Sequence, residues 1–70
     1  MNHYKNVALH QSVIVNLTTG RAFRGVLLQT NKELLILANA ELIEAGEQPI
    51  PVSGNVVIER SRVEFVQVVK

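Results

Sequence analysis

Apolar and polar positions alternate along most of this chain, and the alternation changes character at a few well-marked points. Residues 12–17, "SVIVNL", set Val13, Val15 and Leu17 on one face, the two-residue period of a strand. Thr18, Thr19 and Gly20 follow as a hairpin turn, with Gly20 supplying the positive φ such turns require. "RAFRGVLLQ", residues 21–29, reads as a second strand, and the Gly25 inside it marks a bulge or sharp bend. "TNKE", residues 30–33, is the next turn, and "LLILANAELI" is a third strand running from Leu34 to Ile43. "EAGEQPIPVSG", with Gly46, Pro49, Pro51 and Gly54, reads as a loop and not as a core strand. "NVVIE" and "VEFVQVV" flank "RSR" and read as a tight final hairpin. At the N-terminus, "NHYKNVALH" places Tyr4, Val7 and Ala8 at helical spacing behind Asn2, which can cap. A helix that short is stable when it packs on something.

The expected order is therefore a short helix and five strands with a bend built into the second. Five short, strongly bent strands under a helical lid predict a mainly β fold, a small open antiparallel barrel. The last two strands are apolar, β-branched and poorly guarded by charge, so their free edges invite pairing with another chain. A ring, in which one edge of each subunit meets a different edge of the next, satisfies every such edge.

Composition strengthens the case for association. Seventy residues form one domain, and a chain of this size buries only roughly 60% of its unfolded surface. Disulfides and thiolate metal sites are excluded because there is no Cys. Two histidines, His3 and His10, are too few for a structural zinc site and read as helix-end residues. With 47% hydrophobic residues, part of the apolar content is expected between subunits. The net charge of +1 demands no polyanion partner, and all six acidic residues are Glu. No run approaches the roughly 18 apolar residues of a membrane span, and no signal pattern opens the chain. A cytoplasmic location and no membrane partner are the expectation. No nucleophile–base pair, metal set or phosphate-cradling loop is present, so an enzyme is not expected, nor any cofactor or metal.

The pattern Val13, Val15, Leu17, Gly20, Gly25, Leu27 and Leu37, followed by Gly54, Val56, Val57, Ile58, Val63, Phe65 and Val66, resembles the two motifs of the Sm and Sm-like (LSm) superfamily. The likeness covers nearly the whole chain: a first motif over residues 12–38, a variable connector over 39–53 and a second motif over 54–69, one domain across 1–70. It implies an SH3-type barrel with an N-terminal helix and a homo-oligomeric ring of about six or seven subunits, five also being allowed. It further implies ring contacts through the last two strands, which makes Val56, Val57, Ile58, Val63, Phe65, Val66 and Val68 the candidate interface. Phe65 falls at a core position by the same pattern, and Tyr4 and Phe23 read as packing groups.

Sm-like proteins usually bind single-stranded RNA and act in RNA processing, through two loops that this chain carries in altered form. The first normally offers an Asp, a stacking residue and an Asn; here those positions are Asn31, Glu33 and Leu35. The second normally reads Ile-Arg-Gly; here it is Ile58, Glu59 and Arg60. Glu33 cannot stack as an aromatic would, Leu35 cannot hydrogen-bond a base edge, and Glu59 reverses a charge. Asn31, Lys32, Arg60 and Arg62 remain as candidate RNA contacts, since cations on phosphates dominate affinity. Plainer readings stand beside these: Asn31 as a turn former, Lys32 as a cation that offsets the neighbouring Glu33, and Arg60 and Arg62 as solvated turn residues or partners of Glu59 or Glu64. Arg21 and Arg24 form either a second basic patch or a solvated strand face. Two functions are thus expected in competition. One is an RNA-binding ring with a non-standard nucleotide pocket; the other is a structural or protein-interaction ring without RNA, as in a bacteriophage setting.

Overall fold

The fold is described for residues 7–69 of a computed structural model. Its elements are β1 (Ser12–Leu17), β2 (Ala22–Thr30), β3 (Leu34–Ile43), β4 (Ile50–Pro51), β5 (Val56–Glu59), a 3-10 turn (Arg60–Arg62) and β6 (Val63–Val68). One antiparallel sheet holds them in the order β4-β3-β2-β1-β6, with β5 also on β3.

The expected N-terminal helix is not among these elements. Asn2, His3 and Tyr4 lie outside the described residues, and Val7 and Ala8 have helical backbone that ends at once in a turn at Leu9 and His10. His10 takes a left-handed φ of 64° and donates its N–H to Leu27 O at 2.6 Å, which turns the chain into β1. Ala8 is buried in the core and Val7 is exposed.

Six strands replace the expected five because one strand is broken. Both β4 and β5 run antiparallel to β3, on the same edge. Between the pairs Glu41–Pro51 and Leu37–Val56, four residues of one chain segment (52–55) face three of the other (38–40). Val52 N still bonds Ala40 O at 2.8 Å, and Gly54, at φ 77°, accommodates the extra residue. So the segment read as a loop over 44–54 is interrupted by a two-residue strand, Ile50–Pro51, and is irregular on either side of it. Pro51, which has no N–H to donate, is tolerated because it sits on an edge.

Nor do β5 and β6 form a hairpin. The 3-10 turn between them takes the chain from the β3 side of the sheet to the β1 side. Its first N–H, of Arg60, bonds Glu33 O at 2.9 Å, and its last carbonyl, of Arg62, accepts from Thr18 N at 2.8 Å. The sheet is left unclosed: among the described residues β5 pairs with β3 alone and β6 with β1 alone.

Curvature comes from paired irregularities between β2 and β3. Asn39, at φ 51°, is the extra residue opposite Gly25, and Leu28 is the extra residue opposite the step from Leu37 to Ile36. Each bulge sharpens the local twist and bends the sheet. Where the strands press closest there is no room for a side chain. A Cβ on Gly25 would lie 2.9 Å from Ala38 O and 3.2 Å from Ala40 Cα. The concave face holds the core: Ala8, Val13, Val15, Leu27, Leu35, Leu37, Ala40 and Ile58, with Leu17, Phe23, Val56, Val63, Val66 and Val68 packed around it.

Phe65 is not in that core; it is 51% exposed. Asn16 pairs with Phe65 and Leu17 with Val63, so Glu64 is an extra residue in β6. That bulge breaks the two-residue period, so Val63, Val66 and Val68 all turn inward and Phe65 turns out.

Candidate nucleic-acid interface

The β2–β3 turn is built around one side chain. Asn31 Oδ1 accepts from Glu33 N at 2.7 Å and from Leu34 N at 2.9 Å, while Asn31 N donates to Leu34 O at 3.0 Å. An Asn that bonds the backbone two and three residues ahead holds a tight turn without help from either strand. Behind it, the buried Thr30 donates Oγ1–H to the same Leu34 carbonyl at 3.4 Å.

The 3-10 turn lies directly against this loop, because β5 and β3 are in register with Leu34 opposite Glu59. Besides the backbone bond to Glu33 O, Arg60 Nη1 donates to Asn31 O at 3.0 Å. The two segments that sequence analysis nominated, some thirty residues apart in the chain (|i−j| = 29 for this contact), are therefore joined into one surface. Asn31, Lys32, Glu33, Glu59 and Arg62 are exposed on it, and Arg60 is half-buried.

Its electrostatics are mixed. Arg62 Nε lies 3.6 Å from Glu59 Oε1, a loose pair between well-exposed groups, so solvent screens it. Glu33 has no cationic partner among the described residues. Lys32, Arg60 and Arg62 against Glu33 and Glu59 leave one formal net positive charge here.

The role of Arg60 is the part sequence reasoning missed. Its sequence context suggests a phosphate contact or a partner of a glutamate, whereas its side chain spans the two loops through the Asn31 carbonyl. An exposed main-chain acceptor leaves no trace in residue patterns; the one available signal was the "RSR" spacing that sets Arg60 at the start of the crossover. Leu35 is fully buried and Arg62 faces Glu59. Arg21 precedes β2 and pairs with Glu44 at 2.9 Å, whereas Arg24 stands opposite Glu41, so these two do not join the loop surface.

Of the candidate interface residues, Val57 (60% exposed) and Phe65 face outward beside the two open edges. Val56, Val63, Val66 and Val68 are half-buried, and Ile58 lies in the protomer's own core. A groove of about 310 Å³ runs along Arg60, Val63, Glu64, Phe65 and Val66. Another, of about 400 Å³, opens at β5 among Leu17, Phe23 and Val56 to Glu59. Among the described residues no three His, Cys, Asp or Glu side chains are grouped to hold a metal.

No family model matches the chain, and no curated protein matches it. Solved structures do. The chain superposes with a TM-score of 0.85 and 29% identity on a Pyrococcus abyssii Sm protein in complex with a uridine heptamer, covering 96% of this chain and 94% of that one. A heptameric archaeal Sm protein gives a TM-score of 0.87 at 24% identity, covering 99% of this chain and 100% of that one. This chain has an Sm-like fold. The P. aerophilum SmAP1 heptamer agrees, with a TM-score of 0.87, 24% identity, and coverage of 100% and 93%. The low identities fit a divergent Sm-like sequence.

Proposed function

We propose that this Sm-like chain forms a closed homo-oligomeric ring and binds single-stranded RNA on the surface made by residues 31–33 and 59–62. The observation that carries the reading is the pair of bonds from Arg60 to Asn31 O and Glu33 O, which holds two loops from separate halves of the chain as one exposed, net-positive surface. The structural likeness to two Sm proteins described as heptamers, and to a third described in complex with a uridine heptamer, supports it.

The ring follows from the two open edges. β5 pairs with β3 and β6 with β1, at different edges of the sheet, so pairing β5 of one subunit with β6 of the next is head-to-tail. Such contacts close into a ring when the rotation per subunit allows. Outward-facing Val57 and Phe65 then lose their solvent exposure, with Val56, Val63, Val66 and Val68 completing the contact and Ile58 contributing main chain. In this reading residues 12–38 and 54–69 are the two functional halves of a single domain, and 39–53 is a connector.

Lys32 and Arg62 are the phosphate contacts, Asn31 the base contact and Arg60 the residue that positions both loops. The pocket is non-standard because Leu35 is inside the protein and Glu33 stands where a stacking group is expected. Light scattering tests the ring: a single oligomeric mass at micromolar concentration is expected, and a strict monomer would refute it. Titration of labelled single strands at two salt concentrations tests the binding, which should weaken as salt rises.

A further inference from the structure

Resting on the RNA-binding reading, we infer that this site selects bases carrying an exocyclic amino group over uracil, with Glu33 as the discriminating residue. The inference comes from counting which polar groups the two loops leave unused. Asn31 Oδ1 is saturated by two backbone N–H groups, and Asn31 O is taken by Arg60. The Nδ2 amide of Asn31 has no acceptor among the described residues, so this side chain can only donate to a base. Two carboxylates are left to read a base, Glu33, which is unpaired among the described residues, and Glu59, which is shared with Arg62; the exposed Ser61 hydroxyl beside them is neutral and donates as readily as it accepts, so it does not discriminate. Glu33 is also well placed, because its own N–H is anchored to Asn31 and its carbonyl to Arg60 N.

A carboxylate accepts and never donates when ionised. Cytosine and adenine present an amino group beside a ring acceptor, which matches Glu33 beside the Asn31 amide. Guanine presents two parallel N–H groups, which match both carboxylate oxygens, and a carbonyl for Asn31. Uracil has one ring N–H flanked by two carbonyl oxygens. An anion that approaches that N–H meets both oxygens, and the ring has no amino group to offer instead. Glutamate reading of an amino group is an established kind of base contact, and each well-formed base contact discriminates on the order of tenfold.

The test is fluorescence anisotropy on the wild-type ring with short oligomers of uridine, cytidine and adenosine, and a mixed guanosine–adenosine oligomer. The same set is then titrated against Glu33→Ala. That side chain is exposed and bonded to nothing described, so its removal leaves the turn intact. Wild-type protein is expected to bind each amino-bearing oligomer about tenfold tighter than oligouridine. Glu33→Ala is expected to erase that gap from both sides: weaker on cytidine, tighter on uridine as a charge repelling phosphate is lost. Uridine bound as well as or better than the others, or a gap unchanged in Glu33→Ala, overturns this inference and leaves RNA binding standing. No salt-dependent binding of any oligomer overturns both.

Discussion

Of the four glycines, only Gly25 has no room for a side chain, and replacing it measures how the sheet is bent. A methyl group built on Gly25 lies 2.9 Å from Ala38 O, 3.2 Å from Ala40 Cα and 3.3 Å from Leu37 Cβ. Two of these atoms are backbone, and the third is the stem of a fully buried side chain. None can swing aside, so β3 itself must shift. Forcing a methyl into a well-packed interior costs about 1–3 kcal/mol. Against it stands the loss of unfolded-chain entropy when Gly becomes Ala, about 0.4–1 kcal/mol in the stabilising direction. The net expectation for Gly25→Ala is destabilisation by about 1–2 kcal/mol, or roughly 5–15 °C in Tm for a domain this small. Gly25→Val is expected to be clearly worse. Urea unfolding at one fixed subunit concentration is the assay, because association adds a concentration-dependent term to apparent stability. The slope m should stay constant. The Val variant decides the matter. Strand propensity alone ranks Val above Ala and Ala above or near Gly, whereas the close approach of β3 ranks them in reverse. If Gly25→Val is as stable as Gly25→Ala, the close-approach account of the bend is wrong.

Other substitutions probe the remaining parts. Leu35→Ala, at a fully buried core position, should cost about 2–5 kcal/mol and leave the domain marginal or unfolded by circular dichroism. Asn31→Ala removes the acceptor of two turn bonds and should destabilise by about 1–2 kcal/mol, while Asn31→Asp, which keeps the acceptor, should stay near wild type in the same melt. Val57→Glu and Phe65→Glu, at exposed positions beside the open edges, should leave the protomer folded and lower the mass seen by light scattering. Lys32→Ala should weaken RNA binding evenly across sequences and flatten its salt dependence, with no change in melting.

How much of this was readable beforehand depends on whether the deciding interaction was local. The turn at Thr18 to Gly20 was legible because its requirement is carried by its own residues: Gly20 sits at φ 93° and its N–H bonds Leu17 O at 3.0 Å. Gly25 advertised the bend, since an interior strand glycine has few other uses. The false hairpin shows the converse. "NVVIE", "RSR" and "VEFVQVV" satisfy every local rule for paired strands, yet Glu33 O and Thr18 N hold the two ends of the 3-10 turn and send the strands to opposite edges. Those two partners lie far away in sequence, so no window over residues 55–69 contains them. Phe65 failed for the same reason: alternation was counted through Glu64, and the bulge that voids the count exists only because of how β6 meets Asn16 and Leu17.

The site divides along the same line. Sequence alone nominated Asn31 and Arg60 from two distant loops, and the register of Leu34 with Glu59 brings them together. Residue identity could not say which polar atoms remain for a ligand. Asn31 has an acceptor and a donor to offer in principle, but the turn consumes the acceptor; Arg60 has five donors, but one is already spent on Asn31 O. Chemistry that looks eroded when positions are compared letter by letter is, once these bonds are drawn, a surface with a different set of groups to offer: an amide donor, a carboxylate unpaired among the described residues, and the Lys32 ammonium. A ring would repeat that set once per subunit, so a small preference at one site is multiplied along a bound strand. A base preference too weak to see with mononucleotides should therefore grow with oligomer length up to the number of sites, and a preference that does not grow with length would place the RNA on some other surface.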